Sequence, residues 1–333
     1  MSHCLTNLWR PAAYHGRGKT RNYFEGWYYK VVDPTGAHRY AFIPGVFLGP
    51  TGEESHAFVQ WLNGVTGETR YLRYPLTAFD ASRCELNVRV GGNHFFVNRM
   101  VLDIGATDLR IEGELRFRNL TPWPVTPLLP GVMGPFAFVP RMETYHGVLS
   151  MDHTIEGWLN INGEPTDFWD GRGYMEKDWG RSFPHGWVWV QSNHFADSPG
   201  TSLSASVALI PWVNRTFRGF IVGLWHGGRL YRFATYTGAR ILRLAVDDER
   251  VEWSMADGRH RLSIVVQRAT PGMLLHMPTG TEMVPRVPET MSATVVVRLV
   301  ALGRNERVLF QGTGAYAGLE TGGEVHTIAD VHT

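Results

Sequence analysis

The 333-residue sequence predicts an all-β protein made of antiparallel sheets closed into two units. Three observations lead there: a composition of rings and turn formers, repeated two-residue alternation of apolar and polar side chains, and the length of the chain. Twelve Trp, 12 Tyr and 17 Phe accompany 37 Gly and 19 Pro, and bulky rings suit the pleated, half-buried surface of a strand. In LRIEGELRFR, Leu109, Ile111, Gly113, Leu115 and Phe117 share one face while Arg110, Glu112, Glu114, Arg116 and Arg118 share the other, the pattern of a half-solvated strand. The length exceeds the roughly 250 to 300 residues that one core usually serves.

Along the chain, similar alternation marks strands near residues 24–32, 38–48, 54–62, 154–162, 187–195, 202–210, 218–226, 259–267 and 292–302, punctuated by turns such as Asp257-Gly258 and Gly227-Gly228. About twenty short strands with no strand–helix–strand rhythm favour closed antiparallel sheets, because closure removes edges that would otherwise aggregate. The expected division is 1–180 and 181–333. The first part includes a connector, 119–143, in which Pro122, Pro124, Pro127, Pro130, Pro135 and Pro140 exclude both a central strand and a continuous helix. That connector reads either as a strap over a barrel end or as a lid over a cavity mouth.

Charge and cysteine content exclude several functions. Lys plus Arg total 32 against 31 Asp plus Glu, so the electrostatic excess that recruits nucleic acid is missing. Cys4 and Cys84 make no disulfide framework and no thiolate metal site, which fits a reducing, cytoplasmic setting. The opening residues contain no apolar run of signal-peptide length, and no stretch is long and apolar enough to span a bilayer, so membrane contact is expected to be peripheral at most. The 14 His residues show no HExxH or paired HxH spacing, and GxSxG, Walker and helix-opening GxGxxG motifs are absent. No metal, nucleotide or other cofactor is expected. The sequons at Asn119 and Asn214 carry no weight without secretion.

Three segments hold the candidate chemistry. In FEGWYYKVVD, alternation puts Glu25, Trp27 and Tyr29 on one face, and a carboxylate among rings is either a poised acid with a raised pKa or an ion-pair partner. In GRGYMEKDWGRSFPHG, Tyr174, Glu176 and Asp178 fall on one side and Met175, Lys177 and Trp179 on the other, again either a site or a charged barrel corner. In WVWVQSNHF, Trp187, Trp189, Gln191 and Asn193 share a face that would suit an apolar ligand needing a few oriented hydrogen bonds. Val188 and Val190 on its reverse read as core.

FEGWYYK, PGVMGPFAFVP with METYHGVLSMDH, and GRGYMEKDWGRSFPHGWVWVQSNHF together resemble the tocopherol cyclase-like family, from about Asn22 to the terminal GAYAGLETGG. The resemblance implies a pair of lipocalin-like β-barrels packed together, distantly similar to carotenoid 1,2-hydratase and lipocalin-type Diels-Alderases, with a hydrophobic small molecule (a prenylquinol, terpenoid or lipid) as partner. It implies cofactor-free acid catalysis: a tail alkene of a prenylated quinol is protonated and the phenol oxygen captures the cation. Glu25, Glu176 and Asp178 would be acid candidates, with Tyr174 or Tyr29 as a relay. Trp27, Trp187 and Trp189 would stabilise the cation, each ring face worth about 2 kcal/mol when desolvated. Gln191 and Asn193 would orient the quinol. The competing readings are a lipocalin-like carrier that holds a quinone, carotenoid or other lipid unchanged, and a hydratase of a terpenoid or carotenoid.

Overall fold

The computed structural model describes residues 7–212, 215–269 and 273–329; Cys4 and the Asn214 sequon lie outside the described residues. By its contacts the chain divides into two compact units, one of residues 1–183 with 275–286 and one of residues 184–274 with 287–333.

The first unit contains β1 (Tyr23–Val32), β2 (Arg39–Leu48), β3 (His56–Asn63), β4 (Thr69–Tyr74), β5 (Phe79–Ala81) and β6 (Asn87–Val90). It continues with β7 (Asn93–Phe96), β8 (Arg99–Gly105), β9 (Arg110–Arg118), β10 (Thr144–Ile161), β11 (Glu164–Asp167) and β12 (Gly171–Gly180). These form one sheet in the order β4-β3-β2-β1-β12-β10-β9-β8-β7-β6-β5, with β11 added to β10. Its edge strands, β4 and β5, are consecutive in the chain, and β2 and β3 lie against β6, so the sheet rolls onto itself. One apolar cluster fills the interior, joining Trp27, Phe42, Trp61, Phe95, Leu115 and Phe117 from strands all around the sheet. The apolar side of the sheet must be removed from water, and rolling does this without a second layer.

The second unit contains β13 (Gly186–Ser192), β14 (His194–Phe195), β15 (Ser202–Trp212), β16 (Arg215–His226), β17 (Arg229–Ala234), β18 (Arg240–Val246), β19 (Arg250–Ala256) and β20 (His260–Gln267). After β21 (Leu275–Pro278) and β22 (Met283–Val287) come β23 (Glu289–Ala301) and β24 (Arg307–Gly323). The sheet order is β17-β16-β15-β13-β24-β23-β20-β19-β18, with β14 added to β24. Here too the edge strands β17 and β18 adjoin in sequence, and one cluster including Val188, Leu203, Val222, Trp253, Ile264 and Val297 fills the interior. The all-β, barrel-forming expectation therefore holds.

Several details differ from the sequence reading. The stretch expected as one strand over 187–195 breaks into β13 and β14. β24 lies outside the segments that alternation marked as strands. Its glycines serve as seats for rings: a Cβ on Gly318 would lie 2.6 Å from the Trp189 indole, and one on Gly322 would lie 2.3 Å from that of Trp187. Leu275–Arg286, expected in the second unit, belongs to the first. The Gln60 amide donates to the His276 carbonyl at 3.0 Å and accepts from the His276 N–H at 2.7 Å, while Tyr71 stacks on the His276 ring at 4.1 Å. Such recruitment depends on long-range pairing that no local pattern encodes.

Inside the first barrel, β1 and β12 pair so that Glu25 lies opposite Trp179, and Trp27 opposite Lys177. Lys177 and Glu25 are both fully buried, with Nζ 2.5 Å from Oε1. The ammonium also donates to the carbonyls of Pro11 (3.1 Å) and Ala13, and to His15 Nδ1 (2.8 Å). Glu25 in turn accepts from the His15 N–H at 2.9 and 3.0 Å and from the Tyr23 hydroxyl. The Trp27 indole donates to the Ala12 carbonyl at 3.1 Å. One ion pair thereby ties the segment Pro11–His15 to the barrel, where Ala12 and Tyr14 pack on the apolar core. Burial of both charges is tolerable because nearly every donor and acceptor is satisfied.

Removing one partner leaves a bare charge in that environment, so Lys177→Met should lower stability by about 3 to 5 kcal/mol in urea unfolding. The double variant Glu25→Gln/Lys177→Met should cost much less than the sum of the two single changes, which a double-mutant cycle will show.

Candidate functional site

β12 carries two different chemistries on its two faces. Met175 and Lys177 point with Trp27 and Tyr29 into the barrel core, while Tyr174, Glu176 and Asp178 lie on the reverse. On that reverse face β10 supplies His146, opposite Asp178 in the strand register, with Val148 opposite Glu176. Strand alternation makes both groupings inevitable once the register is set.

His146 Nδ1 lies 2.9 Å from Asp178 Oδ1, and Nε2 lies 3.7 Å from Glu176 Oε2. The Tyr174 hydroxyl donates to Glu176 Oε2 at 2.5 Å. Burial works against a charged imidazole here, but the charges of Asp178 and then Glu176 outweigh it and raise the His146 pKa to about 9. At neutral pH this is an imidazolium between two carboxyl groups. The donor atoms of the three side chains all lie within 4.8 Å of one another, a spacing compatible with a divalent cation and one that local His spacing could not reveal. A proton on His146 faces the same two carboxyl groups.

His146 also lines a half-open cleft of about 680 Å³. One wall comes from the proline-rich connector through Pro130, Met133, Phe138, Val139, Pro140 and Met142; the opposite side presents His15, Tyr23, Tyr145, His146 and Trp179. The connector is thus a wall of the cleft, irregular except for a short 3-10 turn at Gly134–Phe138. It is pinned by the Tyr145 hydroxyl, which donates to the Val139 carbonyl at 2.7 Å, and by the Trp9 indole, which donates to that of Pro127 at 3.1 Å. His15 and Tyr145 both stack on Trp179, at 4.3 and 5.6 Å between centroids. Lys177 Nζ lies 4.7 Å from the centre of the same indole, so the ion pair in the barrel fixes one aromatic edge of the cleft from behind.

The candidates named from sequence separate into three places. Glu176, Asp178 and Tyr174 come together, joined by His146, which the sequence reading missed although it stands in METYHGVLSMDH. Glu25 does not join them. Burial alone would raise its pKa, but the Lys177 ammonium and the His15 amide hold it below the usual carboxylate range, so it is an ion-pair partner rather than a protonated acid. Trp27 and Tyr29, expected to line a cavity, are packed core: both are essentially unexposed, and the Tyr29 hydroxyl donates to the Phe96 carbonyl at 3.0 Å. Trp187, Trp189, Gln191 and Asn193 are buried in the second unit. The two indoles lie on the side of β13 opposite the Val188 and Val190 core, flat over the β24 glycines, and the Trp187 indole donates to Glu320 at 2.9 Å.

Fold and site together define a class: a lipocalin-like all-β protein with an imidazolium–carboxylate cluster whose His146 lines a largely apolar cleft. Comparison with known proteins gives the family. The model of the tocopherol cyclase-like family matches residues 130–323, and the chain belongs to that family. It is 24% identical to the "Probable tocopherol cyclase, chloroplastic" of Oryza sativa subsp. japonica, over 94% of this chain and 78% of that protein. The "Tocopherol cyclase, chloroplastic" of Zea mays is likewise 24% identical, over 94% of this chain and 77% of that protein. Among solved structures, CghA superposes with a TM-score of 0.56 at 12% identity, over 93% of this chain and 90% of that one. Its complex with Sch210972 gives 0.55 at 12% identity, over 93% and 89%. At such identity the structural likeness speaks for the fold. Among the described residues, no helix is long and apolar enough to cross a membrane.

The raised His146 pKa has a consequence for stability. A group whose pKa is higher folded than unfolded adds stability that is complete below the unfolded value, near 6.5, and is lost as pH rises through the folded value of about 9. The difference in urea midpoint between wild type and His146→Gln should therefore be largest near pH 6 and shrink steadily toward pH 9.5.

Proposed function

We propose that this protein is a cofactor-independent enzyme that cyclises a prenylated quinol or a related terpenoid by acid catalysis. Its family and its cyclase relatives support an enzyme of the cyclase or hydratase type. The observation that carries the finer reading is the cluster of His146, Glu176 and Asp178, of which His146 lines an apolar cleft and the two carboxyl groups stand behind it.

The chemistry follows from those groups. The tail alkene takes a proton from the cluster, forming a C–H bond and a tertiary cation; the phenol oxygen closes the ring on that cation, and the phenol proton returns to the cluster. Atoms balance with no co-reactant, so the product is an isomer of the substrate. An imidazolium with a pKa near 9 is by itself a weak acid toward an alkene. Its role is to position Glu176 and Asp178, with the Tyr174 hydroxyl as a relay on Glu176. The apolar connector wall and the ring of Trp179 would enclose the tail and face the developing cation without offering a nucleophile.

Incubation with a phytyl quinol in detergent and heavy water should give an isomeric chromanol carrying one non-exchanging deuterium, read by mass spectrometry. Asp178→Asn and Glu176→Gln should each lower turnover at least about 100-fold while leaving quinol binding within a few-fold. Quinol that binds tightly but stays unchanged in the wild type would instead establish a carrier.

A further inference from the structure

The lining of the cleft contains Lys19, Arg21, Arg141 and Arg181 but no Asp or Glu. All four cations are exposed, which places them at its mouth rather than its floor. Among the described residues none of the four forms an ion pair. The carboxylates behind the walls are already matched, Glu25 with Lys177 and Asp178 with His146, and Glu143, adjacent to Met142 in the chain, does not line the cleft. In a protein whose net charge is only +1, a cleft with four cations and no acid is a local concentration of positive potential.

The backbone singles out the same rim. Asn22 and Arg141, both in the lining, adopt left-handed conformations with φ of 51° and 62°. For arginine this conformation costs free energy, and strain of this kind gathers where a side chain must be aimed. Arg141 follows Pro140 at the end of the connector, and its carbonyl accepts from the Arg181 guanidinium at 3.3 Å, which ties two of the cations together.

We propose that the cleft takes an apolar molecule bearing an anionic oxygen group, a carboxylate or a phosphate, with the apolar body against the connector wall and the anion held at the mouth by Lys19, Arg21, Arg141 and Arg181. The proposal rests on the reading of this cleft as the substrate site and narrows its substrate class, since a neutral quinol makes no use of this rim. Guanidinium groups pair bidentately with carboxylate and phosphate, and two of them sharing a backbone contact form a pre-arranged receptor.

The test is direct binding to the full chain, followed by intrinsic tryptophan fluorescence and calorimetry, using three matched probes below their micellar concentrations: tetradecanol, myristate and tetradecyl phosphate. At low salt at least one anion should bind ten-fold or more tightly than the alcohol, and added salt should reduce that preference. Arg141→Glu/Arg181→Glu should erase it, whereas Arg89→Glu, an exposed change on β6 away from the lining, should leave it intact; thermal melts confirm that both variants fold. The stronger of the two anions identifies the head group. Equal binding of alcohol and anions, or a preference that survives the double variant, would overturn the proposal and leave the cleft reading standing. Failure of all three probes would sink both. Binding only to vesicles containing anionic phospholipid would replace the small molecule with a membrane surface.

Discussion

The buried pair of Lys177 and Glu25 is the constraint on which the rest of the first unit depends. Two charges without water survive only when each is paired and its remaining valences are filled, and here the backbone of Pro11, Ala13 and His15 does the filling. Burial pushes the Lys177 pKa down to about 8 against the opposing pull of Glu25, so the ammonium persists at neutral pH because the carboxylate is there. The pair thus gives an otherwise irregular segment a single place to sit. Seated, that segment packs Ala12 and Tyr14 on the core and delivers His15 to the face of Trp179.

The two faces of β12 divide the titratable groups between them. β12 has one face committed to the core through Met175 and Lys177, so its other face is left to carry Tyr174, Glu176 and Asp178, with β10 adding His146 beside them. The same strand that locks the core therefore presents the titratable cluster, and the two sets of groups are separated by the backbone of a single sheet. The connector, unable to join the sheet because its prolines lack amide donors, becomes an apolar wall of the cleft that His146 also lines. Of that cluster His146 reaches the cleft, and the exposed cations Lys19, Arg21, Arg141 and Arg181 stand at its rim.

Much of this was legible in the residues. Alternation placed Glu25 with Trp27 and Tyr29, and Tyr174 with Glu176 and Asp178, and each grouping shares a face as expected. The motif-level resemblance reached the correct family. What alternation could not say is which face would be filled by protein and which left for a ligand, so Trp27 and Tyr29 were expected in a cavity and are core. Nor could it pair Glu25 with Lys177 across two strands about 150 positions apart in the chain, or bring His146 to Asp178, since both contacts depend on register.

The sequence by itself determined the strands, their apolar and polar sides and the segments where unusual chemistry gathers, because a pleat imposes a period of two on any chain that forms one. Only the tertiary structure decided that β24 would be a strand, its glycines making room for the indoles of Trp187 and Trp189. It alone decided that Leu275–Arg286 would join the first unit, that Glu25 would be a neutralised anchor and His146 a charged one, and that four cations from distant segments would ring one cleft. The physical reason is common to all four: they are set by which strands lie side by side and by what occupies the space between them, quantities fixed by burial over the whole molecule rather than by any local run of residues.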